Sequence, residues 1–216
     1  MTEAEIESLR RNAETPAKAT PADIAAVADD LSAAFQDDPQ FCWFLRDDAR
    51  RPAERLKFFH MLLSEIALPD GVVSRPLGGG AVSIWLPSEA LGPNPLWQEL
   101  RALPSILAAT GFARFPRLLA MREAMDKRHP MDRPHAYLWF LGVRPEAQGL
   151  GVGSRMLAAG LKAVDEQGRH AFLESSNAAN VPLYRRFGFE VVEEYRARAD
   201  APPIWAMWRE ARPVEA

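Results

Sequence analysis

An α/β (α+β) domain, a mixed β-sheet flanked by helices, is the fold class that this 216-residue chain predicts. Three observations carry it. Residues 135–209 read as strand, helix, strand, helix and two further strands; amphipathic helical stretches precede them; and Gly78-Gly79-Gly80 joins two strand-like runs as a hairpin. Strands alternating with helices at this spacing make a partly parallel sheet.

Residues 1–19 read as a loose or partly helical N-terminal tail, and 20–212 as a single domain. Thr20-Pro21 followed by Ile24, Val27, Ala28 and Leu31 spells a capped amphipathic helix that ends before Pro39. Residues 52–68 repeat the pattern through Leu56, Phe59, Leu62, Leu63 and Ile66. The hairpin strands cover 71–75 and 81–86. Residues 87–134 form a Pro- and Gly-punctuated insert with helices over about 95–109 and 114–127, which either cover the sheet or wall an acceptor pocket. His135–Val143 is apolar on both faces, with Ala136, Leu138 and Phe140 opposing Tyr137, Trp139 and Leu141, as in a buried central strand. A helix striped by Met156, Leu157, Leu161 and Val164 follows, stopped by Gly168. Then come a buried strand at 171–175, a short helix at 180–187, and strands at 189–195 and 203–209.

Hydrophobic residues at 48% and charged residues at 25% suit a globular enzyme with a real core. A net charge of −3 argues against a nucleic-acid partner, which needs a basic surface. Cys42 is the only cysteine, and the four histidines lack ligand spacing, so neither a disulfide nor a metal is expected. The polar start lacks the apolar core of a signal peptide, and no apolar run is long enough to span a membrane. A cytoplasmic protein is the expectation.

The informative stretch runs Val143-Arg144-Pro145-Glu146-Ala147-Gln148-Gly149-Leu150-Gly151-Val152-Gly153-Ser154. A buried strand enters a loop with glycine at alternate positions, and the loop opens a helix. Glycines let the backbone approach a ligand, and successive N–H groups at a helix N-terminus present positive charge to a phosphate or diphosphate. A dinucleotide fingerprint competes, since Gly149-x-Gly151 begins it and Glu174 stands where a ribose-binding acid would. However, its third glycine position is Ser154, and too little chain follows for a full dinucleotide fold.

The form Gln148-x-x-Gly151-x-Gly153 resembles the acetyl-CoA signature of the GNAT acetyltransferase superfamily. A second segment strengthens the likeness, because Asn180-x-x-x-Tyr184-x-x-x-Gly188-Phe189 is similar to that family's other coenzyme motif. The resemblance implies a splayed sheet and acetyl-CoA as cosubstrate. The backbone of Gln148, Gly149, Leu150, Gly151, Val152, Gly153 and Ser154 would cradle the diphosphate. Main-chain groups of Leu141, Gly142 and Val143 would meet the pantetheine arm, as would Asn180. A strand bulge that opens the sheet would fall at Gly142, since glycine within a strand often marks one. Likeness to the puromycin N-acetyltransferase group extends over roughly 20–210, including Trp85 and Leu173-Glu174-Ser175-Ser176.

Acetyl transfer from a thioester to an amine needs a neutral nucleophile, a stabilised oxyanion in the tetrahedral intermediate, and a proton for the thiolate. Deprotonating a lysine-like amine at neutral pH costs about 4 kcal/mol, against about 1 kcal/mol for an α-amino group. Tyr184 is the candidate acid and Glu174, the carboxylate within the buried strands, the candidate base. Trp85, Tyr137 and Trp139 are candidate acceptor-pocket aromatics, and Arg144, Arg155, Arg185 and Arg186 candidate phosphate partners. A small-molecule amine is the expected acceptor. The alternatives are a protein or peptide amine, or a degenerate acyl-CoA sensor without turnover. The exposed helices of the insert offer a surface for a homodimer.

Overall fold

The computed structural model describes residues 2–92 and 96–212. Pro95, where the first insert helix was expected to begin, lies outside the described residues.

Much of the expected tail is ordered helix. Thr2 and Glu5 cap α1 (Glu3–Glu14) reciprocally, each accepting the other's backbone N–H. The two-residue strand β1 (Ala17–Lys18) follows. Asp23 accepts the Thr20 N–H at 2.8 Å, so α2 (Ile24–Ala34) starts just beyond the expected cap, after one 3-10 turn. A helix that periodicity did not show, α3 (Pro39–Phe44), is started by Asp38, whose Oδ1 accepts the N–H groups of Gln40 and Phe41 at 3.0 and 3.1 Å. The expected second helix is α4 (Arg51–Leu62), which runs through a π turn (Leu63–Ala67) into the short α5 (Leu68–Asp70).

The hairpin is β2 (Val72–Arg75) and β3 (Ala81–Pro87). The two insert helices are segments of one element, α6 (Leu96–Asp126), broken at Gly111 with φ 66° and ψ 161°. Then come β4 (His135–Val143), α7 (Val152–Glu166), β5 (His170–Ser175), α8 (Val181–Arg186), β6 (Glu190–Arg196) and β7 (Pro203–Arg209).

These strands form one sheet in the order β1-β2-β3-β4-β5-β7-β6. Only β4 and β5 pair in parallel; the other neighbours are antiparallel. Alternation along β3 sorts the two faces. Val82 and Ile84 pack with Leu31 of α2 and Phe59 of α4, whereas Trp85 packs with Leu157 and Leu161 of α7. Among the described residues, no helix is long and apolar enough to cross a membrane.

Two features of β4 shape the site. Its parallel pairing with β5 ends at Leu138 opposite Leu173, and beyond that point the two strands part. The bulge lies at Trp139 rather than at Gly142, because Ile84 pairs with Phe140 while the next residue, Trp85, pairs with Leu138. Trp139 and Phe140 therefore pack against the same α2/α4 cluster, and the strict alternation expected for this strand breaks there. Gly142 is required for another reason. A Cβ there would stand 3.0 Å from Ala34 Cβ and 3.1 Å from Phe35, so its missing side chain lets α2 lie against the strand.

Candidate active site

A cleft of about 660 Å³ opens where β4 and β5 diverge. One wall is β4 from Leu138 to Val143, and the other is the end of β5 with the start of α8. Beyond Leu138, β4 is paired only through β3, so the main-chain groups of its other edge face the opening without a strand partner.

The glycine loop closes one end. Gly149 and Gly151 have φ of 74° and 78°, a region that residues with a Cβ enter only at a cost. Gly151 is the N-cap of α7 and supplies no side-chain cap, so the first-turn N–H groups of the helix lack intrahelical partners. Gly153 has helical geometry; a Cβ there would press on Val143 at 3.3 Å. Gln148 staples the loop to β4 by donating from Nε2 to the Val143 carbonyl at 3.0 Å. Leu141, Gly142, Val143, Gln148, Gly149, Gly151, Val152, Gly153 and Ser154 all line the cleft. Leu150 does not. It packs instead beside Leu9, Ala13 and Met156.

At the divergence of the strands stand Glu174 and Tyr184, with Asn180 nearby on the cleft wall. Glu174 is half-buried, and both carboxylate oxygens accept phenol protons, Oε2 from Tyr137 at 3.2 Å and Oε1 from Tyr195. Burial raises its pKa from 4.5 to about 7, against the lowering effect of the two hydroxyls. Tyr184 is buried, with its ring edge-on to Phe189. Burial and then the charge of Asp38 push its phenol well above the usual range.

Sequence reasoning missed two members of this neighbourhood, Tyr195 and Asp38, and named Tyr137 for a different role. Tyr195 comes from β6, and Tyr137 serves Glu174 rather than an acceptor pocket. Asp38 lines the cleft, accepts the Ser176 hydroxyl, and has its carboxyl pushed up chiefly by burial. Its capping role ahead of Pro39 was the signal in the sequence. Of the three aromatics, only Trp139 faces the cleft. Trp85 is buried with its Nε1 unpartnered; a Cβ on Gly160 of α7 would lie 2.3 Å from that atom. Arg144 is bound to Asp29 and Glu146, and Arg155 to Glu14, whereas Arg186 lines the cleft. Among the described residues, no group of three His, Cys, Asp or Glu side chains is placed to hold a metal.

A seven-stranded sheet splayed beside a glycine-opened helix defines the acetyltransferase fold of the GNAT type. Residues 102–189 match the sequence model of the acetyltransferase (GNAT) family. It is 35% identical over 145 residues to the mycothiol acetyltransferase of Pseudarthrobacter chlorophenolicus, covering 59% of this chain and 45% of that protein. Over 69 residues it is 42% identical to the mycothiol acetyltransferase of Paenarthrobacter aurescens, covering 29% of this chain and 21% of that protein. The chain thus spans less than half the length of these curated relatives.

Solved structures share the fold. A Corynebacterium glutamicum protein described as histone acetyltransferase HPA2 and related acetyltransferase superposes with a TM-score of 0.69 at 24% identity, covering 94% of this chain and 98% of that one. A polyamine N-acetyltransferase of Drosophila melanogaster gives 0.60 at 13% identity, covering 91% and 99%.

Proposed function

We propose that the chain is a cytoplasmic, acetyl-CoA-dependent N-acetyltransferase acting on a small-molecule amine by direct transfer. One observation carries this reading. A single cleft joins the uncapped, glycine-rich start of α7 to Glu174 and Tyr184 where β4 and β5 part. The amides of residues 149–154 and the N-terminus of α7 would hold the diphosphate, with Arg186 on the cleft wall as a cationic neighbour. The free edge of β4 and Asn180 would hold the pantetheine arm. When bound, acetyl-CoA supplies the acetyl thioester.

The acceptor side supports an amine. Asp37, Asp38 and Glu174 all line the cleft, and such an acidic lining favours an ammonium over an anion. Glu174, with a pKa of about 7, is poised to take a proton from the bound ammonium near neutral pH. The Tyr184 hydroxyl, kept protonated by its burial, then delivers a proton to the departing thiolate. Main-chain N–H groups near the Trp139 bulge would meet the oxyanion. Likeness to the puromycin N-acetyltransferase group agrees with a small acceptor.

The test is thiol release from acetyl-CoA across a panel of small amines and peptides. Turnover with small primary amines is the expected result. Peptides outperforming them at equal concentration would replace the small-molecule reading, and coenzyme binding without turnover would replace it with a sensor.

A further inference from the structure

Helix α1 contributes no residue to the cleft among those described, yet it is anchored to the back of the glycine loop. The Arg10 guanidinium donates from Nε to the Leu150 carbonyl at 2.9 Å, across 140 residues of sequence. Near the C-terminal end of the same helix, Glu14 accepts from Arg155 Nε at 3.0 Å, and that arginine donates to the Gly151 carbonyl at 3.2 Å. Leu9 and Ala13 pack with Leu150 and Val152 in one apolar cluster beneath these bonds. Leu150 thus commits both its side chain and its carbonyl to α1, which accounts for its absence from the cleft wall.

The consequence concerns one peptide unit. In a planar trans peptide the carbonyl and the following N–H point in opposite directions, and the described chain has no cis bond. With the Leu150 oxygen held by Arg10, the Gly151 N–H points away from α1, on the side where Gly151 lines the cleft. Gly151 tolerates either sign of φ, so nothing in its own conformation stops this unit from flipping. A flipped unit would present a carbonyl oxygen, which repels an anion, in place of a donor.

We infer that Arg10 is a positioning residue for coenzyme binding: it holds the Leu150–Gly151 peptide in the orientation that receives a diphosphate. The inference rests on the coenzyme reading above. Arg10 touches neither the acceptor side nor the reacting atoms, so it acts on the diphosphate end alone.

The test compares wild type, Arg10→Met and Asn12→Ala. Arg10→Met keeps the aliphatic stem and removes the donor. Asn12→Ala breaks a different tie of the same helix, to the Leu77 carbonyl at 2.9 Å, and leaves the loop alone. Calorimetry gives Kd for CoA, and steady-state kinetics use acetyl-CoA and S-acetylpantetheine, a donor without the diphosphate. For Arg10→Met, Kd for CoA and KM for acetyl-CoA should rise about tenfold if the binding-competent orientation falls to about a tenth of its population. Its kcat with acetyl-CoA, and its kcat/KM with S-acetylpantetheine, should stay at wild-type values. Asn12→Ala should match wild type throughout. An unchanged Kd in Arg10→Met, equal losses with both donors, or an equal effect of Asn12→Ala would each overturn the inference. A folded wild-type protein that failed to bind CoA would instead overturn the coenzyme reading on which it stands.

Discussion

Glu174 and Tyr184 face the same cleft but are tuned for opposite jobs. The carboxyl of Glu174, raised to about 7, is half ionised near neutral pH, and only its carboxylate form accepts a proton. Turnover by the wild-type protein should therefore rise with pH through about 7 and then level. In Glu174→Gln that rising limb should vanish along with most of the activity. An unaltered pH–rate profile would remove Glu174 as the base. Tyr184→Phe deletes a hydroxyl while leaving the ring against Phe189. Its kcat should fall by roughly 10²–10⁴ with Kd for CoA unchanged; near-normal turnover would end its role as the acid. At Gly151, Ala would have to hold φ near 78°, a strain of about 1–2 kcal/mol. Its Cβ would also lie 2.7 Å from Arg155 Nη1. Gly151→Ala should lower the denaturant midpoint and weaken CoA binding together.

At the scale of elements, β4 governs how far the site opens. The bulge at Trp139 turns two neighbouring side chains to one face and lets the strand leave β5 after Leu138. Nothing local announced that position, because the glycine that looked like the bulge serves instead as a seat for α2. Gly142→Val tests this assignment. Added carbons would meet Leu31, Ala34 and Phe35, and such overpacking costs about 1–3 kcal/mol. The measured loss should appear in equilibrium unfolding, and a trimmed partner, Phe35→Leu, should recover part of it. Full stability in Gly142→Val would show that α2 does not need this close approach.

For the whole molecule, the titrations of two half-buried groups act in opposite directions on stability. Folding raises the Glu174 pKa from 4.5 to about 7, so its contribution is complete below about 4.5 and is lost as pH rises through 7. His129 has its pKa lowered to about 4, chiefly by burial, and its Nε2 lies 2.9 Å from that of His135. Its contribution is present above about 6.5 and is lost as pH falls through 4. Relative to wild type, Glu174→Gln should gain about 2–3 kcal/mol between pH 4 and pH 8.5. His129→Gln should gain relative stability in the other direction, between pH 7 and pH 4. Urea unfolding at these pH values measures both, and parallel curves for either variant would contradict its assignment.

Local chemistry was legible in residues 143–154 and 180–189, because a strand, a glycine loop and a helix start are contiguous and each is set by short-range backbone preference. The same holds for Thr20-Pro21 at the first sheet-packed helix and for Gly78–Gly80 in the hairpin, whose three φ values are all positive. So the chain by itself determined the α/β class, the loop beside the cleft and the nomination of Glu174 and Tyr184. Only the tertiary structure decided what surrounds them. It set Tyr137 and Tyr195 on the Glu174 carboxylate, brought Asp38 to Ser176 across 138 residues, and tied Arg10 to Leu150 across 140. Those meetings follow from strand register and helix packing, which sum weak preferences over the whole chain and leave no pattern at any one position.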